Sequence, residues 1–164
     1  MIEKKIRYSL ILLLLLLSSC GIHLRDHAVI PDSLSTLRLD GNNKYGLLYK
    51  RLERGLKNHH VIIVDRSDDS KPLLKLLNER FEKKELSFYN SGYAAEYEIV
   101  YRLTYQISYQ NKRYPPKTIT VIRSYVDNPN NVLAMTRERE YLEQEMQKNA
   151  ISKLIYSLQN YKEI

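Results

Sequence analysis

Tyr97 to Tyr109 alternates without a break. Tyr97, Ile99, Tyr101, Leu103, Tyr105, Ile107 and Tyr109 fall on one face, and Glu98, Val100, Arg102, Thr104, Gln106 and Ser108 on the other. Period two over that length predicts a half-buried strand, because successive side chains of an extended backbone point to opposite sides. Asn111-Lys112-Arg113 and Pro115-Pro116 end it with a turn, and Thr118 to Val126 returns as a second strand with Ile119, Val121 and Ile122 apolar. Upstream, Leu73 to Tyr89 runs into the turn Asn90-Ser91-Gly92 and is expected to be the strand before the long one. Leu34 to Asp40 is a shorter strand, closed by Gly41-Asn42-Asn43, and Val61 to Val64 is a brief β-branched run.

Two segments switch to helical spacing. Leu48, Leu52 and Leu56 recur at i, i+4, i+8 within Tyr45 to Asn58, with Lys50, Arg51, Arg54 and Lys57 on the remaining faces. Asp127-Asn128-Pro129-Asn130 is a start signal for a long helix over about Val132 to Tyr161. There Leu142, Met146, Ala150, Leu154 and Leu158 form one stripe beside Ile151 and Ile155, a core face rather than a ligand box. A strand, a helix, three consecutive antiparallel strands and a helix give an α+β fold. The expected form is a two-layer sandwich: a mostly antiparallel four-stranded sheet with both helices on one face.

The beginning of the chain follows different rules. Lys4, Lys5 and Arg7 precede the apolar run Leu10 to Leu17, then Ser18-Ser19-Cys20. Charge, short apolar stretch and small residues in that order predict a secretory signal over residues 1–19. The run is shorter than the roughly 20 apolar residues needed to span a bilayer. Leu17-Ser18-Ser19-Cys20 looks like a lipobox, so Cys20 is expected to carry diacylglycerol and an N-acyl chain as the new N-terminus. Cys20 is the only cysteine, which excludes an internal disulfide. Gly21 takes the position where Asp tends to retain lipoproteins in the inner membrane, so an outer-membrane address is expected. Residues 20–164 then form one domain, with 20–32 as an extended lipidated lead.

Removing residues 1–19 from 164 leaves 145, ample for a core. The formal charge of +7 includes Lys4, Lys5 and Arg7 against Glu3, so the exported part is about +5. Such a chain suits anionic lipid or lipopolysaccharide, and an outer-membrane address leaves no role for nucleic acid. The motifs of chemistry are missing. His23, His27, His59 and His60 show no metal spacing, and there is no phosphate-cradling glycine loop or nucleophile elbow. Glu96 and Glu98 share a strand face without a base to partner them. No enzyme, metal or dissociable cofactor is expected.

Several blocks resemble the LPS-assembly lipoprotein family, LptE. They are Cys20-Gly21-Ile22-His23-Leu24-Arg25, with Ile22 where an aromatic is usual; Pro31 and the strand ending Leu39-Asp40; Ala95-Glu96-Tyr97; Arg123-Ser124-Tyr125-Val126-Asp127-Asn128-Pro129 followed by Leu133-Ala134; and Glu145-Met146. The resemblance implies a non-enzymatic subunit that plugs the lumen of the outer-membrane β-barrel LptD, expected as a 1:1 heterodimer. It also implies a part in that barrel's assembly and in lipopolysaccharide insertion into the outer leaflet. Fourteen Tyr and no Trp suit a wet lumen, although Tyr is also a good strand residue. The alternative is a stand-alone envelope lipoprotein that binds an anionic ligand without a barrel.

Chain direction suggests where lipopolysaccharide would bind. The strand ending at Val126 returns to the Asn90 hairpin, and the last helix starts there. That carries Arg123, Arg137 and Arg139 to one end of the domain, where a helix N-terminus adds free N–H groups. Asp127, Glu138 and Glu140 share the region and oppose an anion, and neighbouring helix positions 137 and 139 cannot point the same way.

Overall fold

The computed structural model describes residues 30–65, 67–90, 92–128 and 131–161. Residues 1–19, expected to be a signal, and Cys20, Gly21, His23, His27 and Pro129 lie outside them. One mixed sheet forms from β1 (Thr36–Gly41), β2 (Ile62–Val64), β3 (Leu73–Phe88), β4 (Ala94–Tyr109), β5 (Lys112–Arg113) and β6 (Lys117–Val126). Two α-helices, α1 (Leu47–Asn58) and α2 (Val132–Ser157), pack against it. Short 3-10 turns at Asp32–Leu34 and Leu158–Asn160 bracket the domain.

The α+β class is as expected, but the sheet has six strands rather than four. The strand order is β2-β1-β3-β4, with β5 and β6 both pairing with β4. The antiparallel half, β3-β4-β6, is the one the alternation predicts. β1, however, pairs in parallel with both β2 and β3. Parallel neighbours need a crossover, and α1 supplies it between β1 and β2. Leu48, Leu52 and Leu56 are buried on α1, and Met146, Ala150, Ile151, Leu154 and Ile155 on α2. They meet Leu74, Leu76, Tyr101, Leu103, Tyr105, Ile107 and Val121 from the sheet. The last predicted helical turn is instead the 3-10 turn, with Leu158 still buried.

Length decides which parts are covered. β3 and β4 each run sixteen residues, about 50 Å at 3.3 Å per residue. The lower half carries the Leu and Tyr core. In the upper half β3 becomes Glu-Arg-Phe-Glu-Lys-Lys-Glu and its residues are mostly exposed. The β3 alternation slips at Leu76/Asn78, where a bulge accommodates the extra Leu77. A polar chain ties the layers where the halves meet. The Tyr101 hydroxyl donates to Glu79 Oε2 at 2.9 Å, and Gln147 donates to the same oxygen at 3.2 Å. Arg51 on α1 donates to Gln147 Oε1 at 2.7 Å. Burial and the neighbouring Glu79 carboxylate push the Tyr101 phenol well above its usual range, so it remains a donor.

Candidate functional site at the hairpin end

The turn between β3 and β4 closes with Tyr89 N–H donating to Tyr93 O at 2.7 Å, and Gly92 takes φ +84°, which suits a residue without Cβ. β6 ends beside it: Val126 pairs with Glu96, Asp127 N–H donates to Ala95 O, and the Tyr89 hydroxyl donates to Asp127 O at 2.8 Å. α2 begins five residues after Asp127. Hairpin, strand end and helix start therefore share one end of the molecule, as chain direction suggests.

Register places a cation there that local pattern reading misses. Ile99 pairs with Lys83 on β3 and Arg123 on β6, so all three stand in one row on the helix-facing side. Adjacent strands lie about 4.8 Å apart, which sets the two cations roughly 10 Å apart at their Cα atoms. In the next row Tyr97 and Tyr125 stack with ring centroids 5.6 Å apart, and Lys83 Nζ lies 3.3 Å from the Tyr97 centroid. An open cleft of about 650 Å³ is lined by Lys83, Lys84, Glu85, Phe88 and Tyr97.

The three arginines are placed differently from one another. Arg123 reaches Glu145 of α2 at 3.3 Å. Arg139 pairs with Glu143 of its own helix at 3.7 Å. Glu143 and Glu145 are two residues apart, roughly 200° around the helix, so Arg123 and Arg139 engage opposite faces of α2. Arg137 is exposed, within about 80° of the Glu145 side by the same 100° per residue. Arg123 and Arg137 thus flank one side, and Arg139 the other. The acids Glu85, Glu143 and Glu145 interleave with them, so the end is mixed in charge rather than purely cationic.

Apolar surface surrounds these charges. Phe88, Tyr93 and Val126 are exposed around the tip, and Val132 and Leu133 on the first turn of α2, Leu133 at 77%. Side chains of that size left in water next to paired cations make an amphiphilic end, suited to a ligand with both charge and hydrocarbon. A second cleft of about 250 Å³ lies between Gly41–Gly46 and Leu76–Glu79. Its one carboxylate, Glu79, is already engaged by Tyr101 and Gln147, and the hydroxyl of Tyr49, which also lines it, donates to Leu39 O at 3.0 Å.

The opposite face of the sheet has another character. Arg80 and Arg102 both ion-pair with Glu82, Lys84 meets Glu98 at 3.8 Å, and Thr104 shares a hydrogen bond with Thr118 at 2.9 Å. Val100, predicted on this polar face, is nevertheless buried, flanked in register by Glu82 and Ile122.

These features define the class: a small α+β sandwich with one helix-covered face and one polar face, a form carried by bacterial lipoproteins. Rare lipoprotein B from Shewanella oneidensis has it, with a TM-score of 0.71 at 31% identity, covering 76% of this chain and 94% of that one. A minor lipoprotein from Acinetobacter baumannii shares the fold at a TM-score of 0.65 and 19% identity, covering 77% and 92% of the two chains.

The sequence narrows the class to a family. The family model LptE, Lipopolysaccharide-assembly, matches residues 34–158. The LPS-assembly lipoprotein LptE of Pectobacterium atrosepticum is 32% identical over 148 residues, which is 90% of this chain and 80% of that protein. That of Photorhabdus laumondii is 30% identical over 147 residues, 90% and 81% respectively. The chain belongs to the LptE family.

Proposed function

We propose that this protein is a non-enzymatic envelope lipoprotein of lipopolysaccharide assembly, anchored in the outer membrane through Cys20. In this role it occupies the lumen of an LptD-type β-barrel as the plug, helps that barrel assemble, and takes part in passing lipopolysaccharide to the outer leaflet. The observation that carries the reading is the family match over Leu34 to Leu158, which takes in the whole sandwich. Physical features support it. A plug in a wet lumen needs a soluble domain with hydrogen-bonding walls, and the Arg80–Glu82–Arg102 face with its threonines has that character. β4 is sixteen residues long, about 50 Å, against roughly 40–45 Å for a bilayer with its headgroups.

Photo-crosslinkers placed at Thr104, Thr120 and Ile122 test the plug. At least one is expected to capture a barrel subunit in cells, and one at Leu154, fully buried under the helices, is expected to capture none. Folded protein that captures no barrel from any surface position would favour the stand-alone binder instead.

Lipopolysaccharide is proposed to meet the hairpin end, its phosphates near Lys83, Arg123 and Arg137 and its acyl chains near Phe88 and Leu133. Arg137→Glu and Lys83→Glu are each expected to weaken lipopolysaccharide binding roughly tenfold at low salt, about 1.4 kcal/mol, and less at high salt, where screening is stronger. Arg139→Glu is expected to change binding less, because Arg139 faces away and is paired. Equal, salt-independent binding by Arg137→Glu and Lys83→Glu, with helical content intact, would move the ligand elsewhere.

A further inference from the structure

The end of the sandwich opposite the Asn90 hairpin gathers cations and aromatic rings where the chain enters from its N-terminal lead. Ile30, the first described residue, packs against the core. Ser33 Oγ donates to the Tyr161 carbonyl at 3.2 Å, joining the start of the domain to its last described residue. The Tyr161 ring meets Tyr114 edge-on at 5.6 Å. Lys117 Nζ lies 4.3 Å from the Tyr161 centroid, and Lys112 Nζ 4.7 Å from that of Tyr114. Gln110 and Asn111 form a tight turn with φ of 46° and 64°. β5 then pairs back onto β4, so Lys112 and Arg113 project from the tip and are exposed.

From Tyr109 to Lys117 the sequence holds the bases Lys112, Arg113 and Lys117 and no acid. Acids share this end of the molecule: Asp32 is exposed beside the entry point, and Asp69, paired with Arg38, lies in the loop that leads into Leu73 of β3, the register partner of Ser108. The cationic stretch is therefore the β4–β5 turn itself rather than the whole end. Cys20 precedes Ile30 by ten positions, so an acylated Cys20 lies at most about 36 Å from it at full extension. Lys and Arg are drawn to anionic headgroups only within about a Debye length of the surface. Tyrosine, apolar along its ring and polar at its tip, is favoured at the same level. A short tether keeps such a weak surface next to its target at high effective concentration.

We propose that this end, formed by Tyr109, Lys112, Arg113, Tyr114 and Lys117, docks on anionic phospholipid of the leaflet that holds the lipid anchor. The inference rests on acylation of Cys20 and not on the barrel. Docking fixes which end of the tethered domain faces the membrane and leaves the hairpin end pointing away from that leaflet.

The test uses lipidated protein purified from membranes and carrying Asn111→Cys. Acylated Cys20 leaves that thiol as the reactive one, and it takes an environment-sensitive fluorophore. The protein is reconstituted into vesicles with phosphatidylglycerol or into phosphatidylcholine alone. Emission is expected to be roughly twofold or more higher and blue-shifted with phosphatidylglycerol, and to fall back in high salt. The same label at Tyr93→Cys, at the other end, is expected not to respond. Lys112→Glu with Arg113→Glu and Lys117→Glu should abolish the difference. The milder Lys112→Gln with Arg113→Gln, which spares the Lys117–Tyr161 contact, should reduce it. Equal emission in both lipids, or a full response from the charge-reversed protein, overturns the docking. A response that appears only when a barrel subunit is added also overturns it, and assigns this end to a protein partner. Protein that fails to float with the vesicles overturns the anchor and the docking with it, leaving the barrel reading to its own crosslinks.

Discussion

Changing Cys20 to Ser is expected to abolish incorporation of labelled palmitate and to leave a precursor that keeps residues 1–19. The effect is all-or-none because the chain has one cysteine, so no second thiol can take the lipid. Diacylglycerol transfer needs that thiol, and a serine hydroxyl at the same place is a far weaker nucleophile. On the proposed anchoring, cleavage in front of Cys20 follows lipid attachment, so the unmodified protein is expected to run at the precursor mass. Each acyl CH₂ contributes about 0.8 kcal/mol to membrane partitioning, and two or more chains make the anchor stable. Loss of all chains is therefore expected to release the domain from membranes once a different signal peptide exports it. The folded sandwich is described from Ile30 onward, so the released form should keep its helical and strand content and retain partial function. Normal palmitate labelling of Cys20→Ser would remove the anchor from the account.

How far the fold is legible depends on the range of the interactions that make it. The β4 alternation and the two leucine stripes are local, and each one names its buried face: Tyr101, Leu103, Tyr105 and Ile107 on the strand, Leu52 and Leu56 on α1, Met146 and Leu154 on α2 are all buried. β2 is three residues long, too short to show a period, and its parallel pairing with β1 depends on residues on the far side of α1. That is how a mixed sheet looks four-stranded from local pattern. The bulge at Leu77 hides the period of β3 in the same way. At the hairpin end, chain direction brings β6 and the start of α2 to the right place. It does not reveal Lys83, because Lys83 belongs to the site only through its register with Ile99 and Arg123. Register is set by the whole hairpin, so a charged run such as Glu82-Lys83-Lys84-Glu85 gives no local sign of which member faces the helix. The Arg123–Glu145 pair is likewise a contact between two elements and has no signature in either alone.

Replacing Gly55 by Leu is expected to destabilise the domain by on the order of 3 kcal/mol, a large part of the roughly 5–15 kcal/mol typical of a domain. Gly55 sits in the middle of α1, where glycine costs about 1 kcal/mol of helix propensity relative to alanine. A packing reason offsets that cost. A Cβ built at Gly55 comes within 2.9 Å of Ile155 Cδ1 and 3.4 Å of Ile151 Cγ2, both on α2. The missing side chain lets the two helices approach. A leucine there adds three further carbons with no space to receive them, so α1 and α2 must separate, and Leu52, Leu56, Ala150 and Leu154 lose contact. Gly55→Ala makes a smaller demand, because its nearest neighbour is the far end of a flexible isoleucine side chain. Its steric cost and its propensity gain should nearly cancel, within about 1 kcal/mol of the parent. Ile155→Val removes the Cδ1 that the alanine meets, at a cost of about 0.5–1.5 kcal/mol by itself. In that background Gly55→Ala should become stabilising, so the double variant should be more stable than the two single changes predict by addition. Urea unfolding followed by circular dichroism on the soluble exported form measures the parent and all four variants. Additive single changes, or a Gly55→Leu protein as stable as the parent, would mean that the α1–α2 contact at Gly55 does not hold the helices together.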